Sequence, residues 1–119
     1  MRDFRQLAVW EKSHLLTLNV YKASSTFSPT ELYGLTSQIR RSALSIPSNI
    51  AEGCGRDTEA DFARFLQIAL GSASELEYQL LLSRDLHYLA DDLYEELSVN
   101  VTEVKRMLAG LLGRIRADH

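Results

Sequence analysis

The residues best placed to do chemistry lie in one short stretch, Gly53-Cys54-Gly55-Arg56. A guanidinium and a helix amino terminus beside a thiol lower its pKa, so Cys54 has part of a nucleophile's setting. It lacks a base, because no histidine stands near it in sequence, and a small residue filling a tight turn is the simpler reading. The loop amides, Arg56 and the start of the following helix also form a candidate anion cradle. The glycine pair is neither a dinucleotide fingerprint nor a phosphate loop, since no strand precedes it and the spacing differs. Metal chemistry finds less support. His14, His87 and His119 stand far apart, and none pairs with another histidine, cysteine or carboxylate at ligand spacing. The paired Glu-x-x-His motifs of di-iron bundles are absent, and His14 reads as a hydrogen-bonded core residue. No catalytic set, cofactor, metal site or small-molecule substrate emerges. The chain is expected to bind rather than to catalyse.

Polar residues at helical spacing say more. Gln38, Ser42, Ser45 and Asn49 line one flank of an apolar stripe, where they need hydrogen bonds within the chain or across a subunit contact. Arg41, Ser45, Asn49, Glu52 and Arg56 form the candidate functional cluster. Glu52 follows Asn49 by about one turn, and a negative charge near a helix carboxyl end opposes the dipole. Arg56, or an arginine of a neighbouring subunit, is the expected compensator. Two readings stand: a lock on the turn, or part of a ligand groove at a subunit boundary. Glu75 and Glu77 straddle a later stripe and read either as solvated charges or as partners of Arg40 or Arg41. Arg40, Arg41, Arg56 and Arg64 make a candidate basic patch. Arg114 and Arg116 fall in the last helical turn, where the dipole favours them.

The elements that must position these residues are helices. The 119-residue chain has the length of one domain, and its few glycines and prolines do not suit an all-β chain. The first helix runs from about Leu7 to Ser24 and carries two apolar stripes. Leu7, Trp10, His14, Leu18 and Tyr21 form the core stripe. Val9, Leu16, Val20 and Ala23 form a second, which one bundle of four helices cannot also bury. Val9, Leu16 and Val20 are therefore the candidate oligomer contact. The second helix is expected from Ser28, with Pro29 at its first position and Glu31 completing a capping box. Phe27 and Leu32 supply a hydrophobic staple. Its face reads Leu32, Leu35, Ile39, Ala43, Ile46 and Ile50, in unbroken phase through Pro47, so the proline kinks the helix rather than ending it. It should also leave the Ala43 carbonyl to a water or a polar side chain. Gly53 to Gly55 end the helix, with glycine taking the left-handed conformation.

The third helix starts at Asp57 or Thr58, with Phe62, Phe65, Leu66, Ala69, Ala73, Leu76 and Leu80 as its core face. Gly71 within a run of four small residues suggests that another backbone comes close. The fourth starts near Asp91 and repeats Leu93, Leu97, Val101, Val104, Leu108, Leu111 and Ile115, a bundle seam. Short connections predict an all-α, up-down-up-down antiparallel four-helix bundle, one domain over residues 1–119. The net charge of −3 means that any nucleic-acid role must come from a local patch or from assembly. The single cysteine and the lack of an opening signal segment or a membrane-length apolar run point to a cytoplasmic chain with no membrane role.

One string is distinctive: Arg41-Ser42-Ala43-Leu44-Ser45-Ile46-Pro47-Ser48-Asn49-Ile50-Ala51-Glu52-Gly53. With Leu7-Ala8-Val9-Trp10 before it and Ala69-Leu70-Gly71-Ser72-Ala73-Ser74-Glu75-Leu76-Glu77 after it, the chain closely resembles the 23S rRNA-intervening sequence protein family. The resemblance covers nearly the whole chain, and only the last helix is generic. It implies an up-down bundle that assembles as a ring-like homopentamer. It also implies kinship with the accessory protein of diversity-generating retroelements, a basic pentamer that binds nucleic acid and the reverse transcriptase. It implies no catalytic residues. The expected partners are therefore further copies of the chain and structured RNA or another nucleic acid. The acidic balance favours the alternative, a protein-interaction scaffold with no nucleic-acid role.

Overall fold

The computed structural model describes residues 2–118. Four helices carry the fold: α1 (Ala8–Ser24), α2 (Leu35–Cys54), α3 (Glu59–Asp85) and α4 (Asp91–Ala117). α1 and α3 each pack on both α2 and α4, so they stand on one diagonal of the bundle. Cross-helix contacts run in reverse order along neighbours. Thr17 meets Ala43 and Ser24 meets Arg40; Ser45 meets Ser72 and Gly53 meets Phe62. Glu77 meets Lys105 and Gln67 meets Arg116, while Lys12 meets Glu103. Each helix is therefore antiparallel to its neighbours.

α1 buries the opposite stripe from the one expected. Val9, Leu16, Val20 and Ala23 lie in the core, whereas His14 is exposed and Leu18 and Tyr21 are 52% and 40% exposed. Val9, Leu16 and Val20 are thus not an oligomer contact. The reason lies in the polar residues that share each stripe. Ser13 and Thr17 accompany the Val9 stripe and bond to nearby carbonyls, so they can be buried at little cost. The other stripe carries an imidazole and a phenol, whose polar atoms stay in water at the surface, and His14 stacks on Trp10 at 5.0 Å.

α2 begins later than its start signal. Pro29–Glu31 form a single 3-10 turn, and Ser28 makes no capping bond to the helix. Gly34, at φ −111° and ψ −113°, separates that turn from α2. A Cβ on Gly34 would lie 2.8 Å from Glu31 Oε1. The glycine thus makes room for the carboxylate that caps α2, accepting the Leu35 amide at 3.1 Å. Leu32, expected in the core, is half-exposed. From Leu35 the helix is continuous through Pro47, with Ile39, Ala43, Ile46 and Ile50 buried. Proline at position 47 deprives the Ala43 carbonyl of its helical donor. The Thr17 hydroxyl of α1 faces that carbonyl at 3.0 Å.

Gly53 serves close approach rather than a left-handed turn. A Cβ there would sit 2.9 Å from Phe65 Cβ and 3.1 Å from Phe62 Cδ1, and no glycine among the described residues has positive φ. Gly71 reverses the other expectation: it is exposed, and a Cβ on it would meet nothing within 4 Å. The expected core face of α3 is buried throughout, and Thr58 caps it by accepting the Asp61 amide at 3.1 Å. The α3–α4 turn places His87 at φ 65°. Its amide donates to Arg84 O and that of Tyr88 to Ser83 O, which is a Schellman closure with a non-glycine residue at its left-handed position. In α4, Leu112 rather than Leu111 joins Leu97, Val101, Val104, Leu108 and Ile115 in the core. A straight helix advances 3.6 residues per turn, so its buried row drifts off a strict heptad.

Candidate functional site

The Arg41–Arg56 cluster resolves into two separate arrangements. In the first, Asn49 Nδ2 donates to Ser45 O at 2.7 Å and to Ser45 Oγ at 2.9 Å. Ser45 Oγ in turn lies 2.8 Å from Ser72 Oγ on α3. A hydroxyl has one proton and two acceptor sites, so Ser45 can accept from Asn49 and donate to Ser72. Two small side chains let α2 and α3 approach there, and the polar atoms that this half-buries are satisfied. In the second, Arg56 Nη2 reaches Glu52 Oε2 at 3.5 Å. The expected compensator is in place, although both groups are about half-exposed and such pairs are worth little. The Arg56 guanidinium also lies 4.8 Å from the centre of the Phe65 ring, and that of Arg64 4.5 Å from it. Arg41 is exposed and bonds to neither arrangement. Both arrangements reach from α2 and its following turn to α3, through Ser72 in the first and Phe65 in the second.

The four arginines expected to form a patch are divided. Arg40 closes the end of α1, donating from Nε to Ser24 Oγ at 2.7 Å and from Nη2 to Tyr21 O at 3.2 Å. Arg56 and Arg64 lie at the other end of α2, about 20 Å away along a helix rising 1.5 Å per residue. Glu77 pairs with Lys105 of α4 at 3.0 Å rather than with Arg40 or Arg41, and Glu75 accepts from Gln79 at 3.2 Å.

Nucleophile and anion-cradle readings of the glycine turn both lose their footing. Cys54 is buried, and that burial pushes its thiol pKa up, against a weaker pull from the Arg2 charge. The thiol form is favoured. The Gly55 and Arg56 amides donate to Glu52 O and Gly53 O, so they are taken up in ending the helix. Glu59, in the first turn of α3, holds Arg2 at 2.7 Å. Among the described residues no three histidine, cysteine or acidic side chains are placed to hold a metal ion. His119 lies outside the described residues.

Sequence reasoning missed the surface that is most unusual for a closed bundle. Tyr21, Leu32, Tyr33, Arg40, Arg41 and Leu44 line a groove of about 490 Å³ between α1 and α2. Tyr33 is 93% exposed, and Leu44, Leu18 and Leu15 are about half-exposed. Leu15, Leu18 and Tyr21 follow at three-residue steps and so continue one stripe. The signal for it was the stripe assigned to the core of α1. A second missed feature is the partition of charge along α4. Residues 91–103 hold Asp91, Asp92, Glu95, Glu96 and Glu103 without a base, and residues 104–117 hold Lys105, Arg106, Arg114 and Arg116 without an acid. Among the described residues no helix is long and apolar enough to cross a membrane.

No curated protein matches the chain. Among solved structures, a protein of unknown function from the S23 ribosomal protein family of Bacteroides thetaiotaomicron is similar to it, with 29% identity and a TM-score of 0.82. That similarity covers 88% of this chain and 95% of the other. The sequence pattern of the 23S rRNA-intervening sequence protein family matches residues 5–110, which span the string around Pro47 and all but the end of α4. The chain belongs to the 23S rRNA-intervening sequence protein family.

Proposed function

We propose that this protein is a non-catalytic, self-assembling helical module, a homo-oligomer and specifically a homopentamer, whose assembled surface binds structured RNA or another nucleic acid. The observation that carries the reading is the outer α1–α2 face. The core is already complete within one chain, yet Tyr21, Leu32, Tyr33 and Leu44 remain exposed along one groove, with Leu18 one turn from Tyr21. Contiguous apolar surface of this kind on a soluble chain marks a contact site, and a mixture of tyrosine, leucine and arginine is the composition of protein interfaces. Each half-exposed large side chain offers on the order of 100 Å² to a partner, so five of them supply on the order of 500 Å², somewhat more than half of the roughly 800 Å² per subunit of a standard contact. The buried thiol and the scattered histidines support the non-catalytic part of the reading. The test is light scattering on Leu18→Glu and Leu44→Glu variants, whose native side chains are exposed enough for the bundle to fold. Both should lower the mass of the oligomer with helical content unchanged. Variants that keep the wild-type mass would remove this face from the account.

The net charge of −3 favours a second reading, an oligomeric protein scaffold with no nucleic-acid role. Phosphate contacts make affinity fall steeply with salt. Binding of an RNA hairpin that weakens from 50 to 200 mM salt supports the first reading, and no binding at any salt supports the second.

A further inference from the structure

Thirteen cationic side chains face sixteen acidic ones in the sequence, so an anionic polymer binds best where cations have no carboxylate beside them. Most have a partner. Arg2, Arg5, Lys12, Arg56, Arg64, Arg84 and Lys105 each meet a carboxylate. Arg40 closes α1, and Arg116 donates to Gln67 at 3.0 Å. Among the described residues Lys22, Arg41, Arg106 and Arg114 remain without an ion pair, hydrogen bond or ring contact. Two of these four, Arg106 and Arg114, line the same groove of about 330 Å³, between the start of α1 and the second half of α4.

From these placements we infer that the Arg106–Arg114 groove is the phosphate-binding surface, holding the phosphodiester backbone of a nucleic-acid strand; the inference rests on the nucleic-acid reading above. The groove has features that suit this partner. Guanidinium groups stay charged and match phosphate oxygens with paired donors. No carboxylate lines the groove itself, and the nearest one along α4, Glu103, three residues before Arg106, is held by Lys12 at 3.0 Å. Gly110, between the two arginines, leaves open the space that a side chain would take, and Arg114 Nη1 would come within 3.7 Å of a Cβ there. Leu7, Met107 and Leu111 give the groove an apolar floor for the sugar and base faces. α1 starts in the same groove with no side-chain cap, which leaves the positive end of its dipole there. The dipole of α4 explains Arg114 at its last turn but not Arg106, more than two turns earlier.

The experiment is fluorescence anisotropy with a labelled RNA hairpin, titrated with the native assembly at several salt concentrations between 50 and 200 mM. Arg106→Gln with Arg114→Gln should weaken binding at least about tenfold at 100 mM and make the salt slope shallower by about two, one for each phosphate that is no longer neutralised. Arg41→Gln with Lys22→Gln, which removes the other two unpaired cations, should change neither. All four side chains are exposed, and melting curves should match wild type. If RNA binds but its slope responds to Arg41 and Lys22 instead, this site is overturned while the nucleic-acid reading stands. If poly-glutamate displaces RNA at equal charge concentration, the groove is one for acidic proteins and the inference fails. If wild type binds no RNA, both fail.

Discussion

Thr17→Val tests how α2 carries a proline in its middle. The Thr17 hydroxyl lies 2.8 Å from Ser13 O and 3.0 Å from Ala43 O, and it has one proton to give. Ser13 O has a helical donor of its own, whereas Pro47 denies one to Ala43 O. Thr17 and Ala43 are both buried, so no bulk water takes over when the hydroxyl is removed. A buried acceptor left unmet costs about 1–3 kcal/mol. Replacing hydroxyl by methyl returns up to about 0.8 kcal/mol of apolar burial. The net loss is then about 1–2 kcal/mol, a fall in Tm of roughly 4–8 °C for a chain of this size. Thermal unfolding followed by circular dichroism reads it directly. The same substitution in a Pro47→Ala background separates this cause from general core damage. Alanine restores a backbone donor to Ala43 O, so Thr17→Val should there cost about 1 kcal/mol less, a coupling within the usual range for contacting residues. Equal costs in the two backgrounds would refute the argument, as would a wild-type Tm in the single variant.

His87→Gly should stabilise the chain by about 0.5–1 kcal/mol, because a side chain at φ 65° strains a left-handed backbone that glycine adopts freely; urea unfolding should shift its midpoint upward with an unchanged slope. Gly53→Ala should destabilise by about 1–3 kcal/mol, since its Cβ would come within 2.9 Å of Phe65 Cβ; a Tm equal to wild type would mean that α2 and α3 are not in close contact there.

What was legible in the sequence depended on whether a helix offered one reading or two. α3 has a single apolar face flanked by charge, and each core residue read from it is buried. α1 has two, and periodicity alone cannot rank them; the hydroxyls of Ser13 and Thr17 decided it by finding carbonyl partners. The capping box expected at Ser28 does not form: Gly34 ends the single turn before a helix can grow, and Glu31 gives its carboxylate to the later start. Pairs within one helix turn were readable, as with Glu52 and Arg56. The partners of Arg40 were not, because they are the last-turn groups of another helix. In the same way the charges of Arg106 and Arg114 were plain in the sequence, while the groove they share with the start of α1 exists only once the first and last helices are side by side.

The central claim is assembly, and native mass spectrometry of the intact chain at about 10 µM tests it most directly. One chain weighs 13.4 kDa. The account predicts a dominant species of five chains, which the Leu18→Glu and Leu44→Glu substitutions disperse. A single species at the mass of one chain would contradict it.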